Sequence, residues 1–196
     1  MIDLDIPGKS YGSVPVLGPI RLRVDPGETV AILGPSGAGK STLLRIAAGL
    51  DPADGGRVRR PARLAIVFQE PTLLPWRSAL ENLTIVHPGL GRAAALAMLD
   101  RVGLGDRPDH FPGQLSLGQQ RRLALARAFA GGPEALVMDE PFVSLDAETA
   151  DRMIALAEAL IAEARPATLL VTHAAPEADR LADRLLRLEG RPARLT

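Results

Sequence analysis

The arrangement of apolar and polar positions along the chain predicts strands that alternate with helices. Five short segments have the length and apolar content of strands. They lie at residues 20–24, 29–33, 64–68, 135–139 and 168–172. The run ALVMD at 135–139 shows no alternation of apolar and polar positions, which is expected of a parallel strand buried on both faces.

Helical spacing of apolar residues fills most of the chain between these strands. It covers residues 40–49, about 148–163, a last segment from about 177, and a broken pattern over 78–130. Strands that alternate with helices imply an α/β fold with a mostly parallel sheet. We expect one domain over residues 1–196, with a helical insert at about 76–130 and no regulatory domain after the final helix.

Composition and charge narrow the class of protein. The 196 residues are 46% hydrophobic, with 23 basic and 23 acidic residues, which suits one compact domain with a sizeable core. A net charge of zero argues against nonspecific nucleic-acid binding, so we expect no nucleic-acid partner. The absence of cysteine excludes disulfides and thiolate metal sites. The first ten residues lack the features of a signal peptide and no apolar run approaches about 18 residues, so we expect a soluble, cytoplasmic chain.

The strongest chemical motif is GPSGAGKST, which follows a predicted strand and opens a predicted helix. It matches the phosphate-loop pattern, in which glycines let successive backbone N–H groups point at phosphate oxygens. The helix start adds its positive dipole end. We expect Lys40 to neutralise the β- and γ-phosphates and the Ser41 hydroxyl to bind Mg²⁺. The alternative is a glycine-rich turn that only caps a helix. The candidate nucleotide-binding residues are Gly34, Pro35, Ser36, Gly37, Ala38, Gly39, Lys40, Ser41 and Thr42.

A second motif is the acidic pair Asp139-Glu140 at the end of the apolar run ALVMD. Carboxylates are costly to bury unless a cation or a hydrogen-bond donor meets them, and Mg²⁺ would supply that partner. We expect Asp139 to hold the metal and Glu140 to act as general base toward the attacking water. The alternative is a strand that simply ends at the surface in polar residues.

Together with three further motifs, these segments resemble a known family. GPSGAGKST, LSLGQQ, ALVMDEP, SLD and VTH follow one another in the order and rough spacing of the nucleotide-binding subunits of ABC transporters. The resemblance covers nearly the whole chain. It implies a phosphate-loop ATPase with a mostly parallel core sheet, a small antiparallel β-subdomain and a helical insert. It also implies ATP and Mg²⁺ as cofactors, and ATP hydrolysis coupled to solute translocation.

The same resemblance implies roles for individual residues. Tyr11 would stack on adenine, Gln69 would contact Mg²⁺ and the attacking water, and His173 would meet the γ-phosphate. Asp146 would act across a subunit interface. The signature that closes over the other copy's ATP would comprise Ser116, Leu117, Gly118 and Gln119.

Each of these residues also has a purely structural interpretation. Tyr11 could be an ordinary surface aromatic residue, and Gln69 could merely end its strand. His173 could be a hydrogen-bonded histidine at a strand end, and Asp146 could be the N-cap of the helix that follows. Ser116 and Gln119 have the S-x-x-Q spacing of a capping box, which predicts a helix start at the signature.

The segment VFQEPTLLPWRSALENL at 67–83 is similar to that of importer ATPases for nitrate, sulfonate, taurine or related solutes. In such importers this surface, here Gln69 to Trp76, docks the membrane permease. Leu73, Leu74 and Trp76 would then form an exposed apolar patch; the alternative is that they pack inside the insert. An exporter cassette, or a soluble ABC ATPase without a transport function, remains the other possible function.

Three departures from the family pattern stand out. The segment 51–65 is short, so the β-subdomain is expected to be trimmed. The insert is abbreviated around 84–91, and Leu117 stands where the signature most often has glycine. In the family that the chain resembles, the phosphate loop and the signature face different nucleotides, so one of each per chain implies a head-to-tail homodimer. We expect it at the cytoplasmic face of the inner membrane, with permease subunits and a periplasmic solute-binding protein in the same system.

Overall fold

The computed structural model describes all 196 residues, and its strands and helices follow one another as the sequence pattern predicts over most of the chain. The strands are β1 (Ile2–Ile6), β2 (Lys9–Tyr11), β3 (Val14–Leu17), β4 (Ile20–Val24), β5 (Thr29–Leu33), β6 (Arg57–Arg59), β7 (Leu64–Val67), β8 (Ala135–Asp139), β9 (Ala167–Thr172), β10 (Arg184–Gly190) and β11 (Ala193–Leu195). The helices are α1 (Lys40–Ala48), α2 (Ala79–Thr84), α3 (Arg92–Arg101), α4 (Leu117–Ala130), α5 (Ala147–Ala164) and α6 (Ala175–Leu181).

A large sheet forms the centre of the molecule, with strand order β2-β3-β11-β10-β5-β9-β8-β7. Neighbouring strands from β10 to β7 are parallel. Every residue of β5 and β9 is buried, because helices cover both faces of this part of the sheet. The carboxyl ends of β5, β7, β8 and β9 therefore meet at one edge, where their loops can share a site.

A second, three-stranded sheet is antiparallel, with order β4-β1-β6. Its strand β1 alternates buried Ile2, Leu4 and Ile6 with more exposed aspartates, as expected of a sheet with one face on the core. β6 has only three residues, in keeping with the short segment 51–65. β1 is a further strand beyond the five predicted from the sequence, and its period of two is a usable local signal.

Three hydrophobic clusters make up the core. One lies on the α1 face of the large sheet and one on the face covered by α4, α5 and α6. The third is formed by α2, α3 and one face of α4, with Leu83, Leu99 and Leu123 fully buried. α4 contributes to the last two clusters, so this helix joins the helical segment to the sheet. The boundaries of the insert at 76–130 stay a prediction.

No helix of the chain combines the length and the apolar character that a membrane span requires.

Candidate active site

The phosphate loop connects β5 to α1. Gly37 and Gly39 adopt left-handed φ angles of 77° and 93°, which glycine reaches without the strain that a Cβ would impose. Gly39 is the N-cap of α1 and supplies no side-chain acceptor, and the first turn contains no acidic residue. The first amides of α1 therefore keep their hydrogen-bonding capacity and the positive helix end for an external anion.

Lys40 lies inside this loop and is 5% exposed. Its Nζ donates to the carbonyl oxygens of Gly34 at 2.9 Å and Pro35 at 3.1 Å. The same ammonium is 3.3 Å from Glu140 Oε1. Lys9 is the only other lysine in the chain, and arginine supplies all remaining basic residues. Position 40 thus carries a compact point charge that suits a phosphate held close to backbone.

Glu140 follows β8 with a left-handed φ of 45°, and its N–H donates to Val171 O of β9 at 2.8 Å. This backbone turn directs the carboxylate between two partners. Oε1 faces Lys40, and Oε2 accepts from His173 Nδ1 at 2.9 Å. The first residue of α1 and the residues that follow β8 and β9 therefore form one Lys40–Glu140–His173 chain, which runs across the edge of the sheet.

Asp139 lies beside the second residue of α1. Ser41 Oγ donates to Asp139 Oδ1 at 3.3 Å, and burial raises the pKa of this carboxyl from its ordinary value. No group of three or more histidine, cysteine or acidic side chains is arranged so that it could hold a metal ion by itself. Mg²⁺ commonly binds through one or two protein oxygens and completes its shell with substrate phosphates and water. The hydroxyl of Ser41 and the carboxylate of Asp139 fit that type of site.

The signature forms the start of α4, and the predicted capping box is confirmed. Gln119 N–H donates to Ser116 Oγ at 3.3 Å, and Ser116 N–H donates to Gln119 Oε1 at 2.8 Å. Asp146 caps α5, accepting from the N–H of Thr149 at 2.9 Å. Leu117 and Gly118 line an open cleft together with these two caps. No hydrogen bond or ion pair connects the signature to the phosphate loop of its own chain.

Tyr11 and Gln69 stand apart from the Lys40–Glu140–His173 chain. The Tyr11 hydroxyl donates to Asp51 Oδ2 at 3.0 Å, and Lys9 Nζ lies 5.1 Å from the ring centroid. Tyr11 is 49% exposed, so part of its surface is open to a ligand. Gln69 is exposed and borders a second cleft beside Leu117 and Ser144.

The three apolar residues of the segment 73–76 were expected either to form an exposed patch or to pack inside the insert, and they differ in this respect. Trp76 is 68% exposed, whereas Leu73 packs against the core of α2, α3 and α4. Leu74 is half-buried, and its N–H and C=O both bond to the side chain of Asn82. The expectation of a patch formed by all three residues is therefore wrong, because Leu73 packs on the core and Asn82 fixes the backbone of the half-buried Leu74.

The fold and these side chains define a phosphate-loop nucleotide-binding domain. The family model "ABC transporter" matches residues 17–143. The chain is 48% identical over 179 residues to the aliphatic sulfonates import ATP-binding protein SsuB 3 of Paraburkholderia xenovorans (strain LB400). This match covers 91% of the chain and 72% of the relative. The chain is 47% identical to SsuB 3 of Rhodococcus jostii (strain RHA1), with 93% and 69% covered. The chain belongs to the ABC transporter family, and it is an ATPase that binds ATP.

Solved structures agree with this assignment. A dimeric ATP-binding cassette, MJ0796, in a post-hydrolysis state bound to ADP and Pi superposes with a TM-score of 0.83 at 30% identity, covering 96% of this chain and 94% of that one. A second dimeric MJ0796 structure gives a TM-score of 0.82 at 32% identity, with 95% and 94% covered. The predicted fold class, a phosphate-loop ATPase with a mostly parallel core and a small antiparallel sheet, is confirmed.

Proposed function

We propose that this chain is the ATP-hydrolysing subunit of an importer for sulfonates or related small anionic solutes, and that two copies of it act together. The observation that carries the catalytic part is the Lys40–Glu140–His173 chain at the end of the phosphate loop. The similarity to sulfonate import ATP-binding proteins supports the import direction and argues against the exporter alternative.

The phosphate loop is proposed to bind the triphosphate with the backbone amides of Gly34 to Thr42. Lys40 then exchanges the carbonyls of Gly34 and Pro35 for β- and γ-phosphate oxygens. This exchange is favourable because a phosphate carries full negative charge, whereas the carbonyls offer only partial charges. Tyr11, with its half-exposed ring, is proposed to stack on adenine.

Ser41 and Asp139, with Gln69 arriving from the loop after β7, are the proposed ligands of Mg²⁺. When bound, the metal neutralises charge on the phosphates during transfer. Asp139 must ionise to bind a cation, and burial works against its ionisation. A nearby divalent charge would reverse that preference. Binding of Mg²⁺ is therefore expected to favour the ionised form of Asp139.

Glu140 is the proposed general base toward the attacking water, and His173 is proposed to contact the γ-phosphate. The carboxylate is held on both sides, by Lys40 and by His173, so it is oriented before the reaction. Once Lys40 turns to the phosphates, Oε1 of Glu140 is released to accept a proton from water. His173 keeps Oε2 in place, and the Nε2 edge of its ring is proposed to contact a phosphate oxygen.

The second copy is proposed to complete each site. Ser116, Leu117, Gly118 and Gln119 make no bond to their own phosphate loop, and their helix start is exposed. An exposed helix N-terminus can receive an anion from another molecule. Each signature would therefore close over the ATP of the partner copy, with Asp146 acting across the same interface. The dimeric relatives support this assembly.

The membrane partner is proposed to dock beside Gln69–Trp76, where Trp76 is the one large apolar side chain left exposed. A periplasmic solute-binding protein would deliver the solute to the permease, and this chain would act as a peripheral subunit on the cytoplasmic face of the inner membrane. Purifying the tagged chain from its native host tests the direction of transport. A permease together with a binding protein supports import, and a membrane partner alone contradicts it.

A substitution of the base tests the catalytic assignment. Glu140→Gln keeps the size of the side chain but removes its basicity. We therefore expect hydrolysis to fall by about 100-fold or more, and a stable dimer to accumulate in the presence of ATP. Dimer formation is measured by size-exclusion chromatography with ATP, and hydrolysis by phosphate release. Glu163→Gln, in the last turn of α5 where Glu163 accepts from Arg101, is the matched control. Hydrolysis at the wild-type rate without a stable dimer would show that Glu140 is not the base.

A further inference from the structure

The loop that follows β7 is held by an arginine of the signature helix. Arg127 of α4 donates Nη1–H to Thr72 O at 2.9 Å, and Nη2–H to Pro71 O and to Thr72 Oγ1, both at 3.1 Å. Planar guanidinium donors can bond several acceptors at once in fixed directions. Arg127 therefore fixes both the backbone and the side chain of this part of the loop.

The loop conformation that Arg127 holds is a strained one. Thr72 has a left-handed φ of 45°, which is rare for a β-branched residue. Such conformations persist where the surrounding structure determines them, and they cluster at functional sites. The three donated hydrogen bonds converge on this residue and its neighbour Pro71, so Arg127 is the principal group that stabilises the conformation.

The backbone of Arg127 is itself anchored from the opposite side. Arg127 O lies in the last turn of α4, where carbonyls lose their helical partners, and it accepts from His87 Nε2 at 2.7 Å. The His87 ring packs closely on Gly131, where an added Cβ would lie 2.4 Å from the ring. Arg127 thus connects the signature helix, the loop after β7 and the segment that carries His87.

Gln69 lies between two fixed points. β7 ends at Val67, which is paired with Met138 of β8, and the Arg127 contacts begin at Pro71. Only three residues separate these anchors, so the position of Gln69 depends on both. We infer that Arg127 is a positioning residue for ATP hydrolysis: it holds this loop so that Gln69 reaches the metal and the attacking water. This inference rests on the role of Gln69 in the proposed function.

Arg121 of the same helix provides a matched control. It is 7% exposed and lies near Phe68 and Pro71, yet it makes no hydrogen bond to the loop, and its Nε and Nη1 have no partner. A buried charge without a partner is costly, so an apolar side chain of similar length should be neutral or stabilising at this position. Arg121→Met is therefore expected to keep the wild-type hydrolysis rate.

The experiment compares Arg127→Met, Arg127→Lys and Arg121→Met in the full chain. ATP affinity is measured by titration calorimetry, and kcat is measured by phosphate release over a range of Mg²⁺ concentrations. For Arg127→Met we expect kcat to fall by about tenfold or more because the loop is misplaced, with ATP affinity changed less than about threefold because the phosphate loop is untouched. A higher Mg²⁺ concentration should be needed for half-maximal rate. Arg127→Lys should be intermediate, since an ammonium cannot bond all three acceptors.

A Gln69→Ala background separates this inference from the proposed function. If Arg127 acts through Gln69, adding Arg127→Met to Gln69→Ala should lower kcat little further. If kcat of the double variant falls by the product of the two single-variant factors, the inference is overturned and the role of Gln69 stays intact. A Gln69→Ala enzyme with the wild-type rate refutes the role of Gln69 itself, and the inference with it. An unchanged kcat in Arg127→Met, or an equal loss in Arg121→Met, also overturns the inference. Thermal unfolding monitors folding, and Arg127→Lys carries the test if Arg127→Met does not fold.

Discussion

The starts of α1 and α4 are both suited to bind phosphate, but they are built differently. α1 begins after Gly39, a left-handed N-cap without a side chain, and opens with buried Lys40. α4 begins after Ser116, an extended N-cap whose hydroxyl and partner Gln119 satisfy two amides within the chain. One helix start keeps its donors for a ligand, whereas the other uses part of them for its own stability.

The two helix starts also differ in how far other parts of the chain surround them. The start of α1 is enclosed by side chains from the ends of β8 and β9, which include Asp139, Glu140 and His173. The start of α4 faces an open cleft, with Leu117 49% exposed. The groups around the first helix start all come from one chain. The second helix start is capped within its own chain, and in the proposed head-to-tail dimer the partner copy would supply its phosphate.

The largest effect is expected from removing the charge at the start of α1. Lys40→Met takes away the cation that is proposed to contact the β- and γ-phosphates, so hydrolysis should fall by at least about 100-fold. ATP binding by calorimetry and phosphate release measure the two losses. The variant should still unfold cooperatively, since Met fills a similar volume. Hydrolysis within a factor of about three of wild type would mean that the helix start and backbone amides suffice.

Asp139→Asn tests the acidic side of the same site. The carboxyl's pKa is raised by burial from its ordinary value of 3.8, so its stabilising contribution is full below that value and is lost as pH rises through the folded-state pKa. Without Mg²⁺, the Asn variant should unfold at a higher temperature than wild type at pH 7, and the gap should close as the pH falls below 3.8. With MgATP the order should reverse.

Hydrolysis by Asp139→Asn should fall by about tenfold or more, because a neutral amide is a weaker Mg²⁺ ligand than a carboxylate. Thermal unfolding from pH 3 to pH 8, with and without MgATP, measures the stability. A variant less stable than wild type at every pH would contradict the assigned effect of burial.

Two serines provide a matched test of the start of α4. Ser116 and Ser78 are both N-caps with complete capping boxes, so Ser→Ala at either position should cost about 1 kcal/mol of unfolding free energy. Only Ser116 is proposed to face the partner's nucleotide. Its loss should lower hydrolysis by about tenfold, as expected for one hydrogen bond to a charged group, whereas Ser78→Ala should hydrolyse ATP normally. Equal rates for the two variants would indicate that the signature start is purely structural.

Local patterns predicted the parts of this site that depend on a few neighbouring residues. The phosphate loop, the end of β8 and the Ser116–Gln119 capping box could all be read from short segments, because their geometry is set within one turn. The Lys40–Glu140–His173 chain could not be derived this way. It depends on β9 lying between β5 and β8 in the sheet, which only the resemblance to a known family could suggest.

Contacts between distant segments account for what the sequence analysis missed. Arg127 looked like one more basic residue of an alanine-rich helix, and its partners Pro71 and Thr72 lie far away along the chain. The difference in exposure between Leu73 and Trp76 could not be predicted from the sequence either, because it depends on how α2 and Asn82 hold that segment. By contrast, β1 was missed despite its clean alternation, which is a failure of interpretation and not of signal.

The smallest effect is expected at Leu117, the residue at which this signature departs from the usual glycine. Leu117 is the first residue of α4, where φ is negative and a side chain is allowed. Its backbone amide can therefore still face the partner's γ-phosphate while the exposed side chain turns aside. Leu117→Gly should change kcat by less than about threefold and cost at most about 1 kcal/mol of stability. Leu117→Ala separates the loss of the side chain from the gain in backbone freedom. An inactive wild-type enzyme that Leu117→Gly restores would contradict this prediction. The Leu117 side chain would then prevent the start of α4 from closing over the ATP of a second copy.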